Sequence, residues 1–491
     1  MKVLIINPSK WGRGITPIWI ASHSSVLKSN HHEVQLFDAT FFKNWAVDEN
    51  TYNTSNQQYQ PSDYLRNVKF TDEPVLSALQ KSINKFRPDI VFFAAISSHI
   101  HGEGEYAAIQ FAYELISGVD FRGKIIAGGL QTTAAPEQTA ERFARIDLFI
   151  RGESEFVLPL IVSAIEKNKS FKNIQGLVYR DEEKVIVNLP QPIIANLDEI
   201  GPYDYSVFQD QIFFRPYNGN VVRAVDYEIS RGCPFTCSYC VETVIQNYYG
   251  FSEKTPRGLL KTPKAYLRHK TAKRVFEEIK SLHKNFGISL FRCQDTNFLT
   301  IKRETLFGLA ELLENEKMPI KLYIETRPEG INEGTIPLLK RLQVDGIGMG
   351  IELATQDFRE GNLNRFADQP SIVKAFQLLQ KGNIKRTAYN IIGLPDQDEE
   401  SILDTIKFNR LLNPDNVTVA FYSPYIGTEQ QKKGASLSYF SDYEYNVDNQ
   451  LRTTTRHNVL NQDLLNFYKK NFIKLVKDKA IALHPQSESL A

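Results

Sequence analysis

Apolar residues recur along the first 165 positions in two alternating rhythms. Short β-branched or wholly apolar runs at 3–7, 33–37, 89–94, 124–127 and 146–150 are separated by longer stretches with helical spacing. The run at 89–94, Asp-Ile-Val-Phe-Phe-Ala, shows no polar alternation, which predicts a strand covered on both faces. Five strands with helices between them predict an open, doubly wound, Rossmann-like parallel sheet over residues 1–165, with ligands expected beyond the carboxyl ends of its strands.

Residues 166–224 break this rhythm. Leu-Val-Tyr-Arg-Asp-Glu-Glu-Lys-Val-Ile-Val predicts a β-hairpin, and the Pro- and Tyr-containing stretch after it predicts an irregular connection, so the segment reads as a linker. From 225 the alternation restarts, with strands predicted at 225–230, 289–294, 321–326, 346–351, 387–392 and 416–421 and helices such as 271–285 and 398–412. Six βα repeats predict a partial TIM-type barrel over 225–430, with its active site at the strands' carboxyl ends. The remaining region, 431–491, is predicted to be mainly helical, and 462–481 reads as one Lys-rich amphipathic helix.

Composition narrows the class. Across 491 residues, 42% hydrophobic and 23% charged residues are ordinary for a folded globular chain. Lys plus Arg number 58 and Asp plus Glu 57, a formal charge of +1, so neither nucleic acid nor an anionic membrane is expected as partner. The start, Met-Lys-Val-Leu-Ile-Ile-Asn-Pro, reads as a buried strand and not a signal peptide, and no apolar stretch approaches the roughly 20 residues of a membrane helix. A cytoplasmic protein is expected.

Three of the four cysteines fall within eight positions, in Arg231-Gly-Cys233-Pro-Phe-Thr-Cys237-Ser-Tyr239-Cys240. A disulfide framework would spread them in pairs, so the clustering points to metal ligation. The loop directly follows a predicted buried strand, and thiolates at i, i+4 and i+7 wrap three corners of a cubane while leaving the fourth iron open. Structural zinc, the rival reading, usually takes four ligands, and no second Cys-x-x-Cys or paired His follows. Three unconnected buried cysteines are the remaining alternative.

Cys-x-x-x-Cys-x-aromatic-Cys after a first barrel strand resembles the signature of radical S-adenosylmethionine (SAM) enzymes. The resemblance implies that Cys233, Cys237 and Cys240 hold a [4Fe–4S] cluster whose open iron chelates the amine and carboxylate of SAM. One electron then cleaves SAM to methionine and a 5′-deoxyadenosyl radical, with flavodoxin or ferredoxin as the expected electron donor. Further segments are similar to the family's SAM-binding motifs. They are Gly350-Ile351-Glu352 at the fourth strand, Arg365 downstream, Asn390-Ile391-Ile392-Gly393-Leu394-Pro395 at the fifth, and Pro424-Tyr425-Ile426-Gly427-Thr428 after the sixth. Tyr239, Arg327, Gly350, Glu352, Arg365, Asn390, Ile392 and Gly393 are the implied SAM-binding positions.

A doubly wound domain ahead of such a barrel resembles the cobalamin-dependent subfamily over residues 1 to about 430. The matching segments are Ile6-Asn7-Pro8, Ser97-Ser98, Gly128-Gly129 and Arg151-Gly152-Glu153-Ser154-Glu155. The resemblance implies that cobalamin lies against Trp11, Ser97, Ser98, Gly128, Gly129 and Gln131. The alternative is that these glycines merely turn the chain. One departure stands out: the first loop, residues 8–14, contains no His to ligate the corrin from below. His99 and His101 either touch the corrin tail or are solvated loop residues. Cys293 and Asp295, at the second barrel strand, are expected on its interior face. Asp295 would orient substrate or take a proton, and Cys293 would donate hydrogen or pack as a small apolar group. Glu325, Arg327 and Arg268 are further polar candidates, as substrate contacts or as salt bridges.

The expected activity is methyl transfer to an unactivated carbon, or to phosphorus, of a small-molecule or peptide substrate. Radical cyclisation, ring contraction or oxidation is the alternative, and a non-catalytic cobalamin or redox sensor the alternative of another class. A tRNA methylthiolating enzyme would need further cysteines and a basic RNA-binding domain that the sequence does not show.

Overall fold

The computed structural model describes residues 1–47, 53–55, 57–58, 60–96, 103–422, 424–436, 460 and 462–486. Strands β1 (Lys2–Asn7), β2 (Glu33–Asp38), β3 (Ile90–Phe93), β4 (Lys124–Ala127) and β5 (Leu148–Ile150) are all parallel, in the spatial order β2-β1-β3-β4-β5. Side chains alternate across this sheet. Val3, Ile5, Ile90 and Phe92 pack on one face with Trp19, Ile20 and Leu27, while Leu4, Ile6, Val91 and Phe93 pack on the other with Leu79, Ile83 and Leu115. Helices therefore cover both faces, as the unalternating run at 89–94 requires. The helix Val75–Phe86 shows how: Val75, Leu79 and Ile83, four residues apart, form its buried stripe, and it stops at Arg87, which has φ 54° and precedes Pro88.

The hairpin that the sequence assigns to a linker belongs to this sheet. β6 (Leu177–Asp181) pairs antiparallel with β5, and β7 (Lys184–Val187) pairs with β6. An open β5 edge would leave a row of backbone donors and acceptors without partners, and the hairpin supplies them.

The second sheet has the order β16-β15-β14-β13-β12-β9-β8. Its strands are β8 (Phe214–Tyr217), β9 (Asn220–Tyr227), β12 (Leu290–Cys293), β13 (Lys321–Thr326), β14 (Val344–Glu352), β15 (Lys385–Ile392) and β16 (Asn416–Phe421). All are parallel except β8, so the six predicted βα strands form a curled half-barrel. β9 begins earlier than predicted because Asn218-Gly219, at φ 49° and 75°, close a tight hairpin with β8. A short antiparallel pair, β10 (Ser230–Arg231) with β11 (Arg268–His269), follows the first barrel strand. At the far edge, the helix Gln462–Lys477 lays Leu465, Tyr468, Phe472 and Val476 against Ile402, Ile406, Val417 and Val419. Among the described residues no helix is long and apolar enough to cross a membrane.

Candidate active site between the two sheets

The first sheet reverses its winding between β1 and β3, which places a crevice at their carboxyl ends. A cavity of about 640 Å³ opens there and runs into the mouth of the half-barrel. Its N-terminal wall includes Asn7, Ser9, Trp11, Ile15, Val47 and Phe111, and its barrel wall includes Cys233, Cys237 and Cys240.

The cysteine loop is held by the backbone and by the helix that follows it. Glu242 Oε1 accepts from Cys233 N at 3.0 Å, and Gln246 Nε2 donates to the carbonyls of Cys233 (2.8 Å) and Phe235 (3.0 Å). No thiol is in a disulfide. Burial and the Glu242 carboxylate push the Cys233 thiol up, and burial together with Cys237 does the same for Cys240. Arg327 Nη1 donates to Cys237 Sγ at 3.5 Å, and the guanidinium lies 3.7 Å from the centre of the Phe235 ring. Among the described residues no three His, Cys, Asp or Glu side chains gather on a single-ion site. A donor set of three soft thiols around an open cavity fits a cubane, where each thiolate takes a different iron.

Beside the thiols, Tyr239 Oη donates to Glu352 Oε1 at 2.9 Å. Arg365 Nη1 lies 3.7 Å from the same oxygen, and its Nη2 donates to the Gly350 carbonyl at 2.5 Å. Burial works against the Arg365 charge, but Tyr239 and Glu352 hold the guanidinium protonated. Its Nε is buried with no hydrogen-bond partner among the described residues. A bare donor next to a carboxylate is a matched pair for a ligand carrying both carboxylate and ammonium groups, as SAM does. Asn390 also lines the cavity, although its amide is occupied by Ala388, Asn409 and Thr418.

Several expected positions are placed differently. On β15 it is Ile391 that faces the cavity, while Ile392 packs outward with Ile402 and Ile406, because successive strand residues point to opposite faces. Gly393 is off the wall, its N–H donating to Gln397 Oε1 at 2.7 Å. Along β12 and the three residues after it the interior face is Arg292, Gln294 and Thr296, whereas Cys293 and Asp295 are not on the cavity wall. Cys293 packs in the apolar core. Asp295 Oδ1 accepts from Ile229 N (3.1 Å), Ser230 N (2.5 Å) and Ser230 Oγ (2.6 Å), so it braces the turn that leads into the cysteine loop. Glu325 lines the cavity and accepts from Tyr389 Oη at 3.2 Å.

In the first sheet Trp11 is on the cavity wall, whereas Gly128, Gly129 and Gln131 are not. A Cβ on Gly128 would sit 3.0 Å from the Ala94 carbonyl and 3.1 Å from that of Ile150, so this glycine lets adjacent strands close up. Gly129, at φ 93°, starts the helix Leu130–Ala134, in which Gln131 is buried. Ser97, Ser98, His99 and His101 lie outside the described residues.

The sequence reading missed what joins the two halves. Glu153 accepts from Arg268 Nη1 through both oxygens at 2.8 Å, and Glu155 accepts from Arg231 Nη2 at 2.6 Å. Arg231 also pairs with Glu228 at 2.7 Å, and Tyr203 donates to the same Glu228 oxygen. All five charged side chains are at most 5% exposed. The Arg151–Glu155 turn, one of the segments that match the cobalamin-dependent subfamily, thus supplies through Glu153 and Glu155 a buried ionic clamp onto the strand pair beside the thiols. Two glutamates in one turn and arginines flanking the cysteine loop were the available signal.

Residues 227–408 match the family model of the radical SAM superfamily. The barrel is a radical SAM domain. The chain is 28% identical over 357 residues to an uncharacterized methyltransferase, PH0819, of Pyrococcus horikoshii, covering 73% of this chain and 72% of that one. It is 25% identical over 460 residues to an anaerobic magnesium-protoporphyrin IX monomethyl ester cyclase of Rubrivivax gelatinosus, covering 91% and 72%. In fold, the radical SAM domain and the sheet before it are similar to the radical SAM methyltransferase TsrM of Kitasatospora setae, solved with tryptophan and a SAM analogue. The TM-score is 0.65 at 15% identity, covering 98% of this chain and 89% of that one. The same arrangement occurs in OxsB, a cobalamin-dependent SAM radical enzyme solved with aqua-cobalamin and SAM, with TM-score 0.65 at 14% identity and coverage of 100% and 70%.

Proposed function

We propose that the protein is a cobalamin-dependent radical SAM methyltransferase acting on a small-molecule or peptide substrate. The observation that carries this reading is the single cavity shared by the switch point of the first sheet, the three thiols and the barrel interior. A methyl carrier, a radical source and a substrate all have access to one another there. The relatives support it, since PH0819 is named a methyltransferase and TsrM and OxsB were solved with cobalamin. Trp11, Ile15, Val47 and Phe111 form a largely apolar wall, and loop 8–14 offers no imidazole. These residues would hold a corrin against the first sheet.

When bound, the cluster, SAM and cobalamin supply one-electron cleavage of a C–S bond and a carrier for methyl. The chain's own residues do the positioning. Cys233, Cys237 and Cys240 would hold three irons and leave the fourth for SAM. The Arg365 Nε donor and the Glu352 carboxylate, steadied by Tyr239, would orient the carboxylate and ammonium of SAM. Arg327, hydrogen-bonded to Cys237, would place a positive charge beside the sulfur. The cavity walls would keep water from the reacting groups. A cytoplasmic setting with flavodoxin or ferredoxin as reductant completes the reading.

The cyclase relative favours a second reading, ring formation with the same cofactors. The test is anaerobic purification, reconstitution with iron, sulfide and cobalamin, and turnover with SAM, a reductant and cell extract as the substrate source. Methyl transfer predicts 5′-deoxyadenosine and S-adenosylhomocysteine in equal amounts, and ring formation predicts the first without the second. Cys237→Ala should abolish the cluster's absorption and SAM cleavage together. Neither product from a reduced, fully loaded wild-type cluster would refute both readings.

A further inference from the structure

Below the thiols, the barrel interior carries a layer of polar side chains that the cofactor-binding residues leave unused. Arg292 on β12 is in register with Asp226 on β9 and with Tyr323 on β13, and all three line the cavity. The Asp226 carboxylate is already taken. It accepts from Arg215 Nη1 (2.8 Å) and Nη2 (2.5 Å), Thr16 N (3.0 Å) and Gln294 Nε2 (2.7 Å). Of the arginines on the same wall, Arg215 is tied to Asp226, Arg327 to Glu329 and Arg365 to the Gly350 carbonyl. Arg292 differs. Its guanidinium lies 5.5 Å from the Tyr323 ring centre and makes no hydrogen bond among the described residues. A half-buried charged group that faces a cavity is ordinarily paired, and this donor fork is open to an acceptor.

We propose that Arg292 anchors the substrate, and that the substrate is a small carboxylic acid whose apolar body packs along Tyr323 and Tyr389. The site belongs to the radical enzyme proposed above and rests on that reading for the reaction, though not for binding of the anion. The carboxylate follows from charge. Asp226 and Glu325 carry negative charge beside Arg292 and hold it protonated against the cost of burial. A planar monoanion matches the guanidinium fork, while a phosphate dianion would add a second charge facing both carboxylates. The apolar body follows from the tyrosines. Tyr323 and Tyr389 hydroxyls lie 2.8 Å apart, and Tyr389 also donates to Glu325, so these rings offer surface and not hydroxyls to a ligand. Gly348 completes the layer: a Cβ there would fall 2.4 Å from the Tyr389 hydroxyl, so only glycine lets this ring reach across the barrel.

The test uses reconstituted enzyme saturated with SAM and without reductant, so that the Arg365 site is filled, and benzoate, benzamide and phenyl phosphate as probes in ligand-observed saturation-transfer NMR. Benzoate should bind wild type. Its affinity should fall about ten- to a hundredfold in Arg292→Gln, the range for losing a charge-assisted contact, and by less in Arg292→Lys. Benzamide should bind wild type as weakly as benzoate binds the Gln variant, a comparison that needs no variant to fold. Absence of benzoate binding, equal binding by wild type and Arg292→Gln, or tighter binding of benzamide or phenyl phosphate would overturn the assignment. Cleavage of SAM by wild-type enzyme after reduction, measured on the same preparation, reports on the radical reading separately.

Discussion

Asp295→Asn is the substitution for which the structure sets both sign and size. Asp295 is fully buried, and its Oδ1 takes three hydrogen bonds from Ile229 and Ser230 while Oδ2 has no partner among the described residues. Burial pushes the carboxyl up to about 7; the Ser230 bonds oppose this and the Glu228 charge adds to it. In the unfolded chain the group titrates near 3.9. The folded state therefore binds the proton more tightly. The stabilisation from this proton is fully present below the unfolded value and is lost as pH rises through about 7. At about 1.4 kcal/mol per unit, the loss between pH 5 and pH 8 amounts to about 3 kcal/mol. Asn keeps the Oδ1 acceptor and the shape but cannot titrate. Urea unfolding of cluster-free wild type and Asp295→Asn, followed by tyrosine and tryptophan fluorescence at pH 5 and pH 8, isolates this one group as the difference between the two proteins. The variant should gain about 3 kcal/mol on wild type across that interval. A difference that does not change with pH would show that Asp295 is charged throughout, and the reasoning from burial would be wrong.

Two further outcomes are expected. Glu153→Gln should cost about 3–5 kcal/mol, read as a lowered urea midpoint of the intact chain, because it leaves the Arg268 guanidinium buried without its carboxylate. Gly348→Ala should swing the Tyr389 ring away and break its bonds to Tyr323 and Glu325. The variant should bind SAM as wild type does in equilibrium dialysis yet lose product formation, with a displaced Tyr389 visible in a crystal structure.

Local signals are legible in the sequence and distant ones are not. The five parallel strands of the first sheet and the six of the half-barrel each carry their own pattern of apolar residues, and the cysteine loop is a contiguous motif. β12 was ambiguous by one residue. In Phe291-Arg292-Cys293-Gln294-Asp295-Thr296 both alternating sets contain a charged residue, and choosing the wrong one turns every side chain to the wrong face. Burial of Phe291 and Cys293 in the apolar core decides for Arg292. The Asn218-Gly219 turn is a local hairpin signal within residues 166–224, and the structure pairs β8 with β9 across it. The pairing of Glu153 with Arg268 spans 115 positions and has no periodicity to betray it. The hairpin after β5 could be predicted as a hairpin, but its docking partner is set by which sheet edge needs covering, a tertiary matter.

The buried ionic clamp has a practical consequence for anyone wishing to build chimeras. Glu153 and Glu155 sit in one half of the chain and their guanidinium partners in the other, so a graft of a foreign first sheet onto this barrel would take the carboxylate from Arg268 and leave Arg231 with Glu228 alone. Recombining such proteins to borrow a new specificity requires Glu153, Glu155, Arg231 and Arg268 to travel as a set. A crossover placed within the half-barrel after residue 270 would leave that set intact.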